Sequence, residues 1–135
     1  VTASRVPSRL ARRILWVDAL GALGAGTLVL LLSHWLAAWY RMPPAVVTGL
    51  ALANLGYGSF SFALARTPRW RRPAAVWLLI LANWGWLAVS LLLLARHGAA
   101  ASALGVAHLL VEGLYVAALG TVEWRVRRQL VAPGP

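Results

Sequence analysis

Four apolar blocks, each about twenty residues or more in length and each fenced by arginine or proline, constrain this chain more than any other feature. A bilayer core about 30 Å thick is crossed by about 20 apolar residues of helix rising ~1.5 Å each. The blocks at about 15–38, 45–65, 74–95 and 101–122 meet that length. Breaks between them are sharp: Tyr40-Arg41-Met42-Pro43-Pro44, then Arg66 to Pro73 with six further residues of arginine, threonine, proline or tryptophan between, then Arg96-His97-Gly98. Connections this short make neighbouring helices antiparallel. The expected fold is all-α, one domain over 1–135: an integral membrane up-down bundle of four transmembrane helices. A basic cytoplasmic segment, 1–13, precedes it and a cytoplasmic tail, 125–135, follows. Ser8 is the expected cap of a short interfacial helix start over 8–16.

Composition supports this reading. Hydrophobic residues make up 61% of the chain and charged ones 12%, at a mean hydropathy of +0.72, too little polar surface for a soluble domain of this size. The first block is too long for a signal peptide, whose apolar core runs about 7–15 residues, and reads as a retained helix. A net charge of +10 ordinarily suggests nucleic acid, but here the charge sits between the blocks as topology signals, so no nucleic-acid partner is expected. All 13 basic residues are arginine, which with abundant Ala, Gly and Leu fits a GC-rich bacterial genome. With no cysteine, disulfides, thiolate zinc sites and thiol redox chemistry are excluded.

Arginine also gives the orientation. Arg5, Arg9, Arg12, Arg13, Arg66, Arg69, Arg71, Arg72, Arg125, Arg127 and Arg128 fall on one side of the blocks, and only Arg41 and Arg96 on the other. The positive-inside rule places both termini in the cytoplasm of a bacterial inner membrane, with the arginines against anionic headgroups. Trp16, Trp70, Trp77 and Trp124 near one interface and Trp35 and Trp39 near the other form an aromatic belt.

The polar residues inside the blocks point to a site. Block midpoints put Asn54, Asn83 and Glu112 near one depth. Helical spacing places His108, Glu112 and Tyr115 on one face, Asn54 and Tyr57 on another, and Asn83 and Trp86 on a third. Lipid cannot hydrogen-bond such groups, so the stripes are expected to face one another. Glu112 is the centre of this site, with no arginine at its depth. Either it carries its proton and bonds Asn54 or Asn83, or His108 one turn away supplies the counter-charge. Trp84 and Trp86 would form an aromatic wall. Asp18 and Glu123, near the arginine-rich end, are expected to form structural ion pairs with Arg12, Arg13 or Arg66.

The sequence carries no HExxH, GxSxG, phosphate-binding loop or paired catalytic aspartates, which disfavours an enzyme. His34 and His108 are the only weak route to a metal or haem. Their depths differ by roughly 6 Å, and no metal or cofactor is expected. Three functions remain, in order: binding or transport of a small lipophilic or cationic molecule or of protons at Glu112, with a homodimer making up for the small enclosed volume; a non-catalytic subunit or assembly factor of a larger membrane complex; and a haem-binding or membrane-embedded enzyme. The topology is open to direct test. A fluorescent protein fused after residue 135 is expected to be bright and alkaline phosphatase at the same point inactive. A phosphatase insertion at Gly98 is expected to be active, and the reverse pattern would overturn the orientation.

Overall fold

The computed structural model describes residues 9–131, so the expected Ser8 cap and the last four residues of the tail lie outside it. The described residues fold into an all-α bundle of five α-helices: α1 (Arg9–Leu31), α2 (Ser33–Tyr40), α3 (Pro44–Arg66), α4 (Pro73–His97) and α5 (Ala103–Leu130). Four of them, α1, α3, α4 and α5, are long and apolar enough to cross a membrane.

The expected single first span is broken in two. Leu32 leaves helical geometry (φ −99°, ψ 6°) between α1 and α2. Its own N–H still bonds Leu28 O at 3.0 Å, and Leu36 N–H reaches Leu32 O at 2.9 Å, so α2 continues the direction of the chain after a local distortion. Arg41 ends α2 in the left-handed region at φ 54°. The Arg41 and Met42 N–H groups then return to Ala38 O and Ala37 O, a Schellman closure. Pro44 follows at the first turn of α3, where its missing N–H costs nothing.

Two helices extend beyond the expected spans. Residues 9–13 belong to α1, continuing the helix start expected over 8–16, and 125–130 are the last turns of α5. The Arg66–Pro73 connection is pinned by Arg71. Its Nε and Nη2 donate to Leu64 O at 2.8 Å and Ala65 O at 3.1 Å at the C-terminus of α3. Burial, and secondarily the nearby Arg12 guanidinium, lowers the Arg71 pKa from its ordinary value. At the opposite end Ser102 caps α5, accepting from Gly105 N–H, and its own N–H and hydroxyl donate to Tyr40 O and Trp39 O, tying α5 to the end of α2.

The bundle is built as two close helix pairs. α1 packs along α3, and α4 along α5. Both pairs are antiparallel, since Gly26 lies against Ala51 and Leu55 while Gly58 lies against Ala22 and Leu23. Glycine permits this approach: a Cβ on Gly58 would stand 2.8 Å from Leu23 N, and one on Gly26 2.9 Å from Ala51 O. Gly113 and Gly120 bring α5 close to α4, where an added Cβ would stand 3.1 Å from Ser90 Cβ and 3.0 Å from Asn83 Cβ. Between the two pairs, backbone proximity runs mainly through α1 and α5, leaving a looser seam. Two apolar clusters close its ends. Ala11, Ile14, Leu15, Leu64, Val76, Leu79, Leu119, Val126 and Leu130 fill the arginine-rich end, and Val29, Leu36, Tyr40, Val47, Leu50 and Leu109 fill the other.

Gly58→Val is expected to destabilise the bundle by about 1–3 kcal/mol through overpacking in a denaturant titration in micelles. Gly56→Ala, where the added Cβ meets nothing within 4 Å, is expected to be neutral or stabilising.

Candidate functional site

All three acidic residues of the chain, Asp18, Glu112 and Glu123, lie along the seam, in two hydrogen-bonded groups. Nearer the arginine-rich end, Asp18 is buried and accepts from Tyr57 OH and Ser61 Oγ, each at 2.6 Å to Oδ2. Asn83 Nδ2 donates to Glu123 Oε2 at 3.0 Å and makes a longer bond, 3.4 Å, to Asp18 Oδ1. One side-chain amide of α4 thus joins a carboxylate of α1 to one of α5. Glu123 is 0% exposed and its Oε1 has no hydrogen-bond partner.

Nearer the opposite end, Asn54 Nδ2 donates to Glu112 Oε1 at 2.6 Å. Glu112 Oε2 and His108 Nε2 lie 3.1 Å apart, without the alignment of a hydrogen bond, so both atoms keep an open valence. The other ring nitrogen, His108 Nδ1, is 3.0 Å from Tyr40 OH. The network runs from Tyr40 to Glu123, with His108 beside Glu112 but not hydrogen-bonded to it, and with a further interruption between the Asn54–Glu112 pair and Asp18.

A cavity fills the interruption. Its volume is about 150 Å³, and its polar wall comes from Asp18, Asn54, Tyr57, Asn83, Glu112 and Trp86, the rest being chiefly alanine and aliphatic side chains. A volume of this size holds a benzene-sized molecule. Trp86 adds a buried indole N–H with no partner in the protein.

The expected site is brought together in large part, with four differences. Asn54, Tyr57, Asn83, Trp86, Glu112 and Tyr115 all line the cavity, and His108 sits one turn behind Glu112. Asn83, however, does not share the level of Glu112. Gly113 faces Ser90 while Gly120 faces Asn83, so Asn83 lies two turns, about 10 Å, towards the arginine-rich end. Tyr115 is 48% exposed; its ring borders the cavity from outside. Trp84 does not join the wall, since its Nε1 donates to Thr121 Oγ1 at 3.3 Å.

The fourth difference is a correction. Asp18 and Glu123 do not form ion pairs with Arg12, Arg13 or Arg66. Among the described residues no arginine–carboxylate pair is present, and those three arginines are exposed. The cause is helix length: α1 and α5 continue past the arginine-bearing turns, and Ala11, Ile14, Leu15, Val126 and Leu130 pack between the carboxylates and the end of the bundle. The missed signal was spacing. Asp18, three and four residues from the buried Leu15 and Ile14, belongs to the same face as those apolar residues rather than to the arginine face. His34 is exposed on α2. Among the described residues no group of three or more His, Asp or Glu is placed to hold a metal.

Comparison with known proteins supplies no relative: no family model matches, and no curated protein or solved structure matches either.

Tyr57→Phe removes a donor to Asp18 and is expected to cost about 1–2 kcal/mol in unfolding free energy. Tyr115→Phe, whose hydroxyl makes no recorded bond, is expected to be within about 0.5 kcal/mol of the parent. Equal losses in the two variants would contradict the assignment.

Proposed function

We propose that this chain is a multi-pass protein of a bacterial inner membrane, with both termini in the cytoplasm, that binds a small lipophilic cation in the cavity between its two helix pairs and carries it or exchanges it for protons. The observation that carries this reading is the cavity wall. Asp18 and Glu112 border an otherwise largely apolar space of about 150 Å³, and no arginine is among the lining residues. An apolar body of benzene size would fill the space. A positive group on it would meet Glu112 on one side and Asp18 on the other, giving the carboxylates a counter-charge that no arginine of the cavity wall supplies. The Trp86 ring adds a face for a cation. Asn54, Tyr57 and Asn83 are the donors that hold the carboxylates in place while the cavity is empty. A second copy of the chain in the membrane would supply additional enclosing surface.

Benzylammonium is a suitable probe, with benzyl alcohol as its neutral counterpart. Calorimetry on the protein in lipid nanodiscs is expected to show preference for the cation. Glu112→Gln is expected to weaken benzylammonium binding by about tenfold, or ~1.4 kcal/mol, while Ser59→Ala on the outer surface leaves it unchanged. Equal affinity for cation and alcohol, or unaltered cation binding in Glu112→Gln, would overturn the proposal.

A further inference from the structure

The seam and the inner acid pair have a consequence that does not depend on what fills the cavity. Asp18 belongs to the α1–α3 pair and Glu123 to the α4–α5 pair. Among the described residues the Asn83 amide alone bonds both, with one firm bond and one long one. Asp18 has three donors, Tyr57, Ser61 and Asn83, whereas Glu123 has one and a buried, unpartnered Oε1. No cation of the protein faces them. The titratable groups around the pair are Tyr57 from α3 and, across the cavity, Glu112 and Tyr115 from α5, while α4 contributes only the neutral Asn83.

We propose that Asp18 and Glu123 form a site for one exchangeable proton, seated on Glu123 Oε1, that latches the two helix pairs together at the arginine-rich end of the seam. With the proton bound, the pair carries a single negative charge, and Asn83 bridges it. When the proton leaves, two carboxylates face each other across the seam in apolar surroundings, and their repulsion acts directly on the two halves. Each half is internally held by close glycine contacts, so the seam is where the strain is relieved. Asn83 and Asp18 also line the cavity, which makes the latch the inner gate of that space. A proton leaving Glu123 reaches the cavity past Asn83 and Asp18. The apolar side chains of Ala11, Leu15, Val126 and Leu130 are buried in the cluster that closes the arginine-rich end of the seam.

The chain has no cysteine, so a spin-label pair at Arg66→Cys on α3 and Arg125→Cys on α5 reports the seam without background. In nanodiscs and without added ligand, the inter-label distance is expected to be short at low pH and to lengthen by several ångström at high pH. Glu123→Gln and Asp18→Asn, each of which removes the second charge, are expected to keep the short distance throughout. A distance that does not change with pH, or a change that survives in Glu123→Gln, overturns the proposal. A lengthening reversed by Na⁺ at fixed pH identifies a metal cation at the site and overturns the proton assignment. If either variant fails to fold, the infrared spectrum of the spin-labelled parent decides. A protonated carboxylic acid band that is lost as the distance lengthens supports the latch, and its absence in the short state contradicts it.

Discussion

Three carboxylates enclosed among apolar helices with no arginine to pair with them are the constraint on which this structure turns. An ionised group in such surroundings costs several kcal/mol unless donors are arranged around it. The chain meets that demand with neutral groups. Asn54 serves Glu112, and Tyr57, Ser61 and Asn83 serve Asp18 and Glu123. Because these donors and acceptors come from four different helices, holding the carboxylates and holding the bundle together are one task. The arrangement also leaves atoms unsatisfied: Glu112 Oε2, Glu123 Oε1, His108 Nε2 and Trp86 Nε1 are all buried without a hydrogen-bond partner. A purely structural network would be expected to close such positions, and they gather around the seam and its cavity.

Two kinds of contact divide the bundle. Within each helix pair, glycine lets backbones approach until an added methyl group would collide with main-chain or side-chain atoms, and such packing has few alternatives. Between the pairs, Asn54 to Glu112, Asn83 to Asp18 and Tyr40 with His108 reach across. Polar contacts of this kind can be exchanged for water, a proton or a ligand. The structure is therefore stiff in halves and adjustable between them. The cavity occurs where the adjustable contacts are interrupted.

Much of this was legible in the amino-acid sequence. Apolar block length and proline position located four of the helices, and the i, i+4 spacing of His108 and Glu112 put both on the face that meets Asn54. What escaped the sequence has two physical causes. Span ends were placed where arginine begins, but an arginine side chain extends away from its helix and does not stop it. α1 and α5 thus ran through their arginines, and Asp18 and Glu123 ended inside the bundle. Depth was taken from block midpoints, whereas the register between helices is set by where glycines allow contact. Gly120 against Asn83 moved that amide away from Glu112 and into the inner pair. The break at Leu32 had no signal in the sequence, since neither proline nor glycine stands there.

The central claim, that amides and hydroxyls rather than arginines hold the interior carboxylates, has a direct measurement. The chain contains only three acidic side chains, so solid-state NMR of uniformly labelled protein in lipid should resolve three side-chain carboxyl carbons. Through-space correlation to nitrogen then identifies the neighbours of each. The structure requires cross-peaks from Glu112 to the Asn54 amide and from Asp18 and Glu123 to the Asn83 amide, with none to guanidinium nitrogens. Strong cross-peaks from Asp18 or Glu123 to arginine, with the Asn83 contacts missing, would contradict it.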